Sequence, residues 1–215
     1  ENKRGKMKEK PNKTQIKAII FDFGNVLYFA DHMKAAKSMS KLLGVSSKKI
    51  YEMISSRGIK PGFSTLSEEG ATPKEYWGFA MKKLRVDKNP YRTLQTIWNK
   101  IFTQNKVLYK TLSTLKQKYK LVLVSNMGNG HKEFLTTKYK LGKEFDKVIL
   151  SCDVGVRKPN PMIYRIATDR LKIEPKEAVF IDDFMLNIKT AKKLGMQVIL
   201  FKTNKQLFKQ LKQLG

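Results

Sequence analysis

Residues 17–27 read KAIIFDFGNVL, an apolar run that ends at Asp22 and is followed by Gly24 and Asn25. Residues 17–23 lack polar alternation, which is typical of a strand buried on both faces of a sheet. Four later runs share this character and are predicted to be strands: residues 120–125, 147–151, 178–182 and 197–201. Fully buried runs of this length favour a parallel sheet.

The segments between the last four runs have the length of helices. Residues 164–171 and 187–194 carry apolar side chains at helical spacing, and Gly195 ends the second segment. Strand and helix therefore alternate from about residue 106 onward. This alternation predicts an α/β fold of three layers (α/β/α), in which helices cover both faces of a parallel sheet. The leucines of residues 205–214 recur at helical spacing and predict a final helix.

A long insertion, residues 28–105, separates the first two predicted strands. This insertion is predicted to be helical throughout. One helix is predicted over residues 33–43, and three more are predicted to begin at Ser46 or Ser47, at Thr72 and after Pro90. Its aromatic residues are interpreted as the core of this insertion. We therefore divide the chain into a flexible basic tail (1–15), a core domain (16–27 and 106–215) and an all-helical cap domain (28–105).

The composition limits the class of protein. The single cysteine excludes an internal disulfide, and no apolar run reaches the roughly 18–20 residues that cross a bilayer. The basic N-terminus has no apolar block behind it, so we expect a cytoplasmic protein without a secretory signal. The net charge of +26 is interpreted as compositional, because only seven of the 44 basic residues are arginine. Non-specific binding of nucleic acid at low salt is still expected.

The ends of the predicted strands carry the chemistry. Asp22, Ser125 and the pair Asp182–Asp183 stand at strand ends, and Lys158 lies in the loop beyond the third strand. Ligands of open parallel sheets bind at the carboxyl ends of the strands, so we expect these residues to meet in one crevice. Each residue alone could be an ordinary turn or cap residue. Their order predicts a site that handles a phosphoryl group with a metal.

Each group has a predicted role in such a site. Asp22 is the candidate nucleophile, because a carboxylate can attack phosphorus and split hydrolysis into two easier steps. Asp183, supported by Asp182 and Asn187, is predicted to hold Mg²⁺, since two adjacent acids otherwise repel each other. Lys158 is predicted to neutralise the charge on Asp22 and on the phosphoryl oxygens.

The phosphate itself is predicted to be held by hydrogen bonds from two segments. Ser125 and Asn126 follow the second strand and are candidate donors. Gly24 and Asn25 turn the chain tightly, so their backbone N–H groups are candidates for contacting an anion.

These motifs resemble the haloacid dehalogenase-like (HAD) hydrolase superfamily. FDFGNVL is similar to the family's first motif, VLVSN to the second, GVRKPNP to the third and VFIDDFMLNI to the fourth, and the resemblance spans about residues 17–201. It implies a Rossmannoid core with sheet order 5-4-1-2-3, strands counted along the chain, and a cap of the type found in subfamily I. It also implies Mg²⁺ dependence, with Asp22, Asp183 and the Gly24 carbonyl as ligands, and phosphatase activity on small phosphorylated metabolites.

The first motif departs from the family pattern at one position. Most phosphatases of the family have a second aspartate two residues after the nucleophile, as general acid and base. This chain has Gly24 there, as does a subgroup whose first motif reads FDxGNV. Either the leaving group needs no acid, or another group replaces it. Asp31 and His32 are candidates for that replacement.

The sequence leaves three functions open. The leading hypothesis is a Mg²⁺-dependent phosphatase that works through an aspartyl-phosphate on Asp22. The alternatives are a 2-haloacid dehalogenase, which needs no metal, and a catalytically weakened domain that binds an anionic partner. The cap is expected to select the substrate, and candidates for lining the crevice are Arg57, Lys60, Tyr76 and Trp77.

Overall fold

The structure is a computed structural model that describes residues 14–55, 70–140 and 142–214. Most of the predicted tail and the residues Arg57 and Lys60 lie outside these ranges. The elements follow in this order: β1 (Ala18–Phe21), β2 (Tyr28–Ala30), α1 (His32–Leu43), α2 (Ser47–Ile54), α3 (Pro73–Leu84), α4 (Tyr91–Asn99), β3 (Phe102–Gln104), α5 (Lys106–Lys116), β4 (Lys120–Ser125), α6 (Asn129–Tyr139), β5 (Lys147–Leu150), α7 (Ser151–Val154), α8 (Pro161–Asp169), a 3-10 turn (Pro175–Glu177), β6 (Ala178–Asp182), α9 (Met185–Lys193), β7 (Gln197–Leu200) and α10 (Asn204–Lys212).

The central sheet has five parallel strands in the order β5-β4-β1-β6-β7. This is the predicted order 5-4-1-2-3 read from the other edge, so the prediction is confirmed. Strand β1 lies in the middle, and Phe21 at its end pairs with Leu123 of β4 and Ile181 of β6. The carboxyl ends of these three strands therefore lie level with one another, which brings the residues that follow them to one edge of the sheet.

Helices cover both faces of this sheet, as predicted. Ile19 and Phe21 of β1 point to one face, where α5 and α10 complete a hydrophobic cluster. Ile20 points to the other face, where α8 and α9 complete a second cluster. Successive residues of a strand point to opposite faces, so one uninterrupted apolar run supplies both clusters.

The cap has a hydrophobic core of its own. It is built from α1–α4, and Trp77 and Leu94 are fully buried in it. Helix α3 begins with a capping box, in which Thr72 accepts a hydrogen bond from the Glu75 backbone and the Glu75 side chain accepts one from the Thr72 backbone. Helix α1 ends at Gly44, which adopts the left-handed conformation (φ +71°) that favours glycine.

The base of the cap contains a feature that the sequence analysis did not predict. Strands β2 and β3, three residues each, pair antiparallel where the chain leaves and re-enters the core domain. Asn105 fixes this junction, because its backbone N–H donates to Leu27 O (2.8 Å) and its side chain to Val26 O (2.9 Å). The insertion is otherwise helical in its described part.

The remaining elements lie close to their predictions. Helix α8 begins three residues before the predicted 164–171 segment, and the four-residue helix α7 was not predicted. Within residues 14–55, 70–140 and 142–214, the helices are all too short or too polar to cross a bilayer.

Candidate active site

A cavity of about 220 Å³ lies between the cap and the carboxyl edge of the sheet. Its core wall contains all nine predicted site residues: Asp22, Gly24, Asn25, Ser125, Asn126, Lys158, Asp182, Asp183 and Asn187. Residues from four separate stretches of sequence thus meet in one crevice. Which of them act on a substrate stays a prediction, and the contacts below show what each side chain can do.

Lys158 is the centre of the charged cluster. Its Nζ donates to Asp22 Oδ1 (2.5 Å) and to Asp182 Oδ2 (2.8 Å), and the side chain is only 2% exposed. Burial by itself would lower the pKa of this lysine, but the carboxylates of Asp182 and Asp22 outweigh that effect and raise the pKa above its usual value. Lys158 is therefore positively charged and fixed in position.

Asp182 holds the cluster together. Its Oδ2 accepts hydrogen bonds from Lys158 Nζ and Asn187 Nδ2 (3.0 Å), and its Oδ1 accepts one from the Phe184 backbone N–H (2.7 Å). The carboxylate is fully buried. Asp182 therefore fixes the position of Lys158, and Asn187 fixes the position of Asp182. Their predicted support of a metal at Asp183 stays a prediction.

Three carboxylates lie close enough to share a cation. Oxygens of Asp22, Asp182 and Asp183 all lie within 4.8 Å of one another. Burial raises the pKa of Asp22 to about 7, and the charges of Asp182 and Asp183 add to this effect against the opposing charge of Lys158. Hard oxygen ligands and uncompensated negative charge fit Mg²⁺. The carboxylate oxygens of Asp22 and Asp183 are best placed to bind Mg²⁺, since the Asp182 carboxylate already accepts three hydrogen bonds.

Asn25 contacts the acidic cluster through its side chain. Its backbone N–H donates to Tyr28 O (2.7 Å) within the turn, and binding of phosphate by this N–H stays a prediction. Its side-chain Nδ2 donates to Asp183 Oδ2 (3.0 Å). The positive φ of Asn25 (56°) is a conformation that asparagine tolerates better than most residues, and the turn directs the side chain toward the acidic cluster.

Asn126 is bonded to the loop that carries Lys158. Its Nδ2 donates to Lys158 O (2.9 Å), and its Oδ1 accepts from Lys158 N (2.7 Å). Both ends of the amide are thus bonded to the backbone of the lysine loop, and these bonds use one of the two hydrogens on Nδ2. Binding of phosphate by Asn126 stays a prediction. Ser125, 3% exposed, lines the cavity beside it.

Gly24 lines the cavity without crowding. A Cβ built there would meet nothing within 4 Å. Of the two candidates to replace the missing acid, Asp31 caps helix α1 by accepting from the Lys34 backbone (2.9 Å) and is not among the cavity residues. His32 does line the cavity, with its ring 5.5 Å from that of Trp98.

The cap wall of the cavity is mainly aromatic. Tyr76 lines it as predicted, whereas Trp77 does not: it is fully buried behind the wall. Trp98, interpreted from sequence as cap core, packs against that core and also lines the cavity.

Sequence reasoning missed two polar residues that line the cavity, Gln95 of the cap and His131 of α6 in the core domain. His131 is a lone histidine in a polar segment, and its hydrogen-bond partner Asn99 lies 32 residues earlier, so no spacing pattern indicated it.

A family model described as haloacid dehalogenase-like hydrolase matches residues 16–195. The chain belongs to this family. The match spans both the core and the cap and includes every predicted site residue. The sheet order and the crevice at the strand ends are those that the resemblance implied.

Individual relatives show how far the similarity extends. The chain is 42% identical over 74 residues to rat (Rattus norvegicus) bifunctional epoxide hydrolase 2, a match that covers 34% of this chain but only 13% of that protein. It is 26% identical over 207 residues to glyceraldehyde 3-phosphate phosphatase of Pyrococcus furiosus, covering 89% of this chain and 82% of the relative.

A solved structure is similar over most of the chain. It is a HAD family enzyme of Bacteroides thetaiotaomicron, whose wild-type protein was crystallised with magnesium and inorganic phosphate. The TM-score is 0.76 at 25% identity, over 88% of this chain and 96% of the other.

Proposed function

We propose that this hydrolase is a Mg²⁺-dependent phosphatase of small phosphorylated metabolites. The observation that carries the proposal is the cluster of Asp22, Lys158, Asp182 and Asp183 at the floor of the cavity. The chain is similar over most of its length to a protein named as a phosphatase and to an enzyme crystallised with magnesium and phosphate, and this similarity supports the same chemistry.

The geometry supports a reaction in two steps. An oxygen of Asp22 attacks phosphorus, the ester P–O bond breaks, and the phosphoryl group becomes attached to Asp22 as an aspartyl-phosphate. Water then attacks the phosphorus, which releases phosphate and restores the carboxylate. Residue 24 is a glycine and carries no acid, so the departing oxygen takes its proton from water or from His32, which lines the cavity.

The other residues of the floor manage charge. Lys158 stands against Asp22 and offsets the negative charge that builds up as two anions approach. Asp182 keeps Lys158 in place, and Asn25 keeps Asp183 in place. Mg²⁺ held by Asp22, Asp183 and the Gly24 carbonyl would supply the remaining charge neutralisation on the phosphoryl oxygens.

The test is turnover of para-nitrophenyl phosphate and a panel of phosphorylated metabolites with and without Mg²⁺. We expect activity that EDTA abolishes and that Asp22→Asn lowers by about four orders of magnitude or more, as loss of a nucleophile does. Thr93 is an exposed residue on α4, and Thr93→Ala is the control variant, which should keep wild-type activity. Equal activity of Asp22→Asn and wild type would refute the proposal. Release of chloride from 2-haloacids in EDTA would favour a dehalogenase instead.

A further inference from the structure

A chain of hydrogen bonds runs from the interior of the cap to the cavity. Trp77 Nε1 donates to Gln95 Oε1 (3.0 Å), Gln95 Nε2 donates to Asn99 Oδ1 (2.9 Å), and Asn99 Oδ1 lies 3.0 Å from His131 Nδ1. The first three residues belong to cap helices and His131 belongs to α6 of the core domain. The chain therefore ends at a side chain on the boundary between cap and core.

The direction of every bond in this chain follows from its first member. An indole N–H can only donate, so the atom of Gln95 that faces Trp77 is the oxygen and the amide nitrogen points to Asn99. Asn99 then presents its oxygen, which accepts from Gln95 and leaves His131 Nδ1 only the role of donor. The proton of a neutral His131 therefore lies on Nδ1, and Nε2 carries a lone pair.

The surroundings keep this imidazole neutral. His131 is 7% exposed and lies among the rings of Phe23, Phe102 and Phe134, with centroid distances of 5.7, 4.1 and 6.4 Å. Burial in this aromatic setting lowers the pKa of His131 to about 3. The ring thus offers an acceptor and not a cation to anything that binds beside it.

Nε2 has no hydrogen-bond partner. Among the buried side-chain nitrogen and oxygen atoms of the described residues, it is the one without a partner. A buried acceptor without a donor costs free energy, which a donor supplied by a ligand recovers. His131 also lines the cavity above the acidic cluster, so the missing donor belongs to a molecule bound there.

The residues before His131 explain how a ligand reaches an atom that is closed to solvent. Asn129 Nδ2 donates to Gly70 O of the cap (2.8 Å), and a Cβ at Gly130 would lie 2.6 Å from Pro73 Cγ. The first turn of α6, residues 129–131, is therefore a place where the cap contacts the core. Separation of cap and core at this contact would uncover Nε2.

We infer that His131 determines substrate specificity by accepting, through Nε2, a hydrogen bond from a hydroxyl group on the leaving group of the phosphate ester. The inference rests on the proposed function, and it predicts leaving groups that carry a hydroxyl group within reach of Nε2. A carboxylate or an ether oxygen at the same position has no proton to donate and would face the lone pair of Nε2. Such leaving groups are disfavoured.

The first test compares esters that differ by one hydroxyl. Pentose and hexose phosphates are assayed beside their singly deoxygenated analogues, with para-nitrophenyl phosphate as the hydroxyl-free reference. We expect at least one pair to differ in kcat/KM by about 10-fold or more, the effect of leaving one buried acceptor without its donor. His131→Phe, which preserves an aromatic ring, abolishes that difference. A difference that survives in His131→Phe, or no difference in any pair, overturns the inference.

The second test does not depend on turnover. In ¹⁵N-histidine-labelled protein carrying Asp22→Asn, the nitrogen shifts report the tautomer, and His32→Asn assigns the signals of the two histidines. We expect the Nδ1–H form for His131, and a shift of its Nε2 signal with a hydroxylated ester but not with the deoxygenated analogue. An Nε2–H tautomer, or no such shift, overturns the inference even where phosphatase activity is found. A shift without turnover in the Asp22 enzyme would sustain it while refuting the proposed function.

Discussion

The two walls of the cavity differ in how completely their polar groups are bonded. On the core wall, Lys158 binds two carboxylates and Asp182 accepts from three donors, so the charged groups are fixed before any ligand arrives. On the opposite side of the cavity, where the cap meets α6, a chain of neutral groups ends at His131 Nε2, which has no partner. The difference indicates that the charged cluster of the core wall carries the chemistry and that the cap–core boundary at His131 contacts part of the substrate.

The strongest way to break the core wall is Lys158→Ala. It leaves Asp22 and Asp182 buried without their counter-charge, so we expect a loss of about 3–5 kcal/mol in the free energy of unfolding, measured by urea denaturation. Activity should fall by about 10²–10³-fold through lost charge stabilisation. Lys132→Ala is the matched control: its pair with Asp153 is exposed, and we expect a change of about 1 kcal/mol or less. Equal losses in the two variants would contradict the assigned role of the buried cluster.

A substitution at Gly24 can supply the general acid that the core wall lacks at this position. Because a Cβ at this position meets nothing within 4 Å, Gly24→Asp should fold and place a carboxyl group in the cavity. We expect turnover of alkyl phosphates to rise by about 100-fold, since a general acid helps a poor leaving group most. Para-nitrophenyl phosphate, whose leaving group needs little protonation, serves as the control and should gain much less. An equal gain for both esters would argue against an acid–base effect.

The pH dependence of stability distinguishes the neutral His131 at the cap–core boundary from the charged groups of the core wall. The pKa of His131 is about 3 in the folded protein and about 6.5 in the unfolded chain, so only the unfolded state takes up the proton between these values. The contribution of the neutral His131 to the free energy of unfolding is fully present above about pH 6.5. It decreases as the pH falls, by about 2 kcal/mol at pH 5.

His131→Phe removes this proton uptake. The difference in unfolding free energy between wild type and His131→Phe, measured by urea denaturation at pH 7 and at pH 5, should therefore shift by about that amount in favour of the variant. The same difference at both pH values would show that His131 titrates normally in the folded protein.

The sequence was sufficient to predict the floor of the site for a simple reason. Asp22, Ser125 and Asp182 each end a buried apolar run, and parallel strands place such ends side by side whatever the details of packing. The sheet order did not follow from this argument and was predicted only from the family resemblance.

Other features depend on contacts that no local pattern encodes. The amides of Asn25 and Asn126 can donate or accept, and only the packed structure shows that they bond Asp183 and the Lys158 backbone. Strands β2 and β3 are too short to leave a periodic signal. The tautomer of His131 is set by Trp77, which is three hydrogen bonds away and 54 positions earlier in the chain.

One measurement bears most directly on the idea that a divalent ion organises this catalytic floor. Crystals grown with Mn²⁺, which gives an anomalous signal, and a fluoride complex of beryllium should show the metal about 2.0–2.3 Å from oxygens of Asp22, Asp183 and Gly24, with beryllium on Asp22. A metal bound elsewhere, or beryllium fluoride placed away from Asp22, would contradict the account.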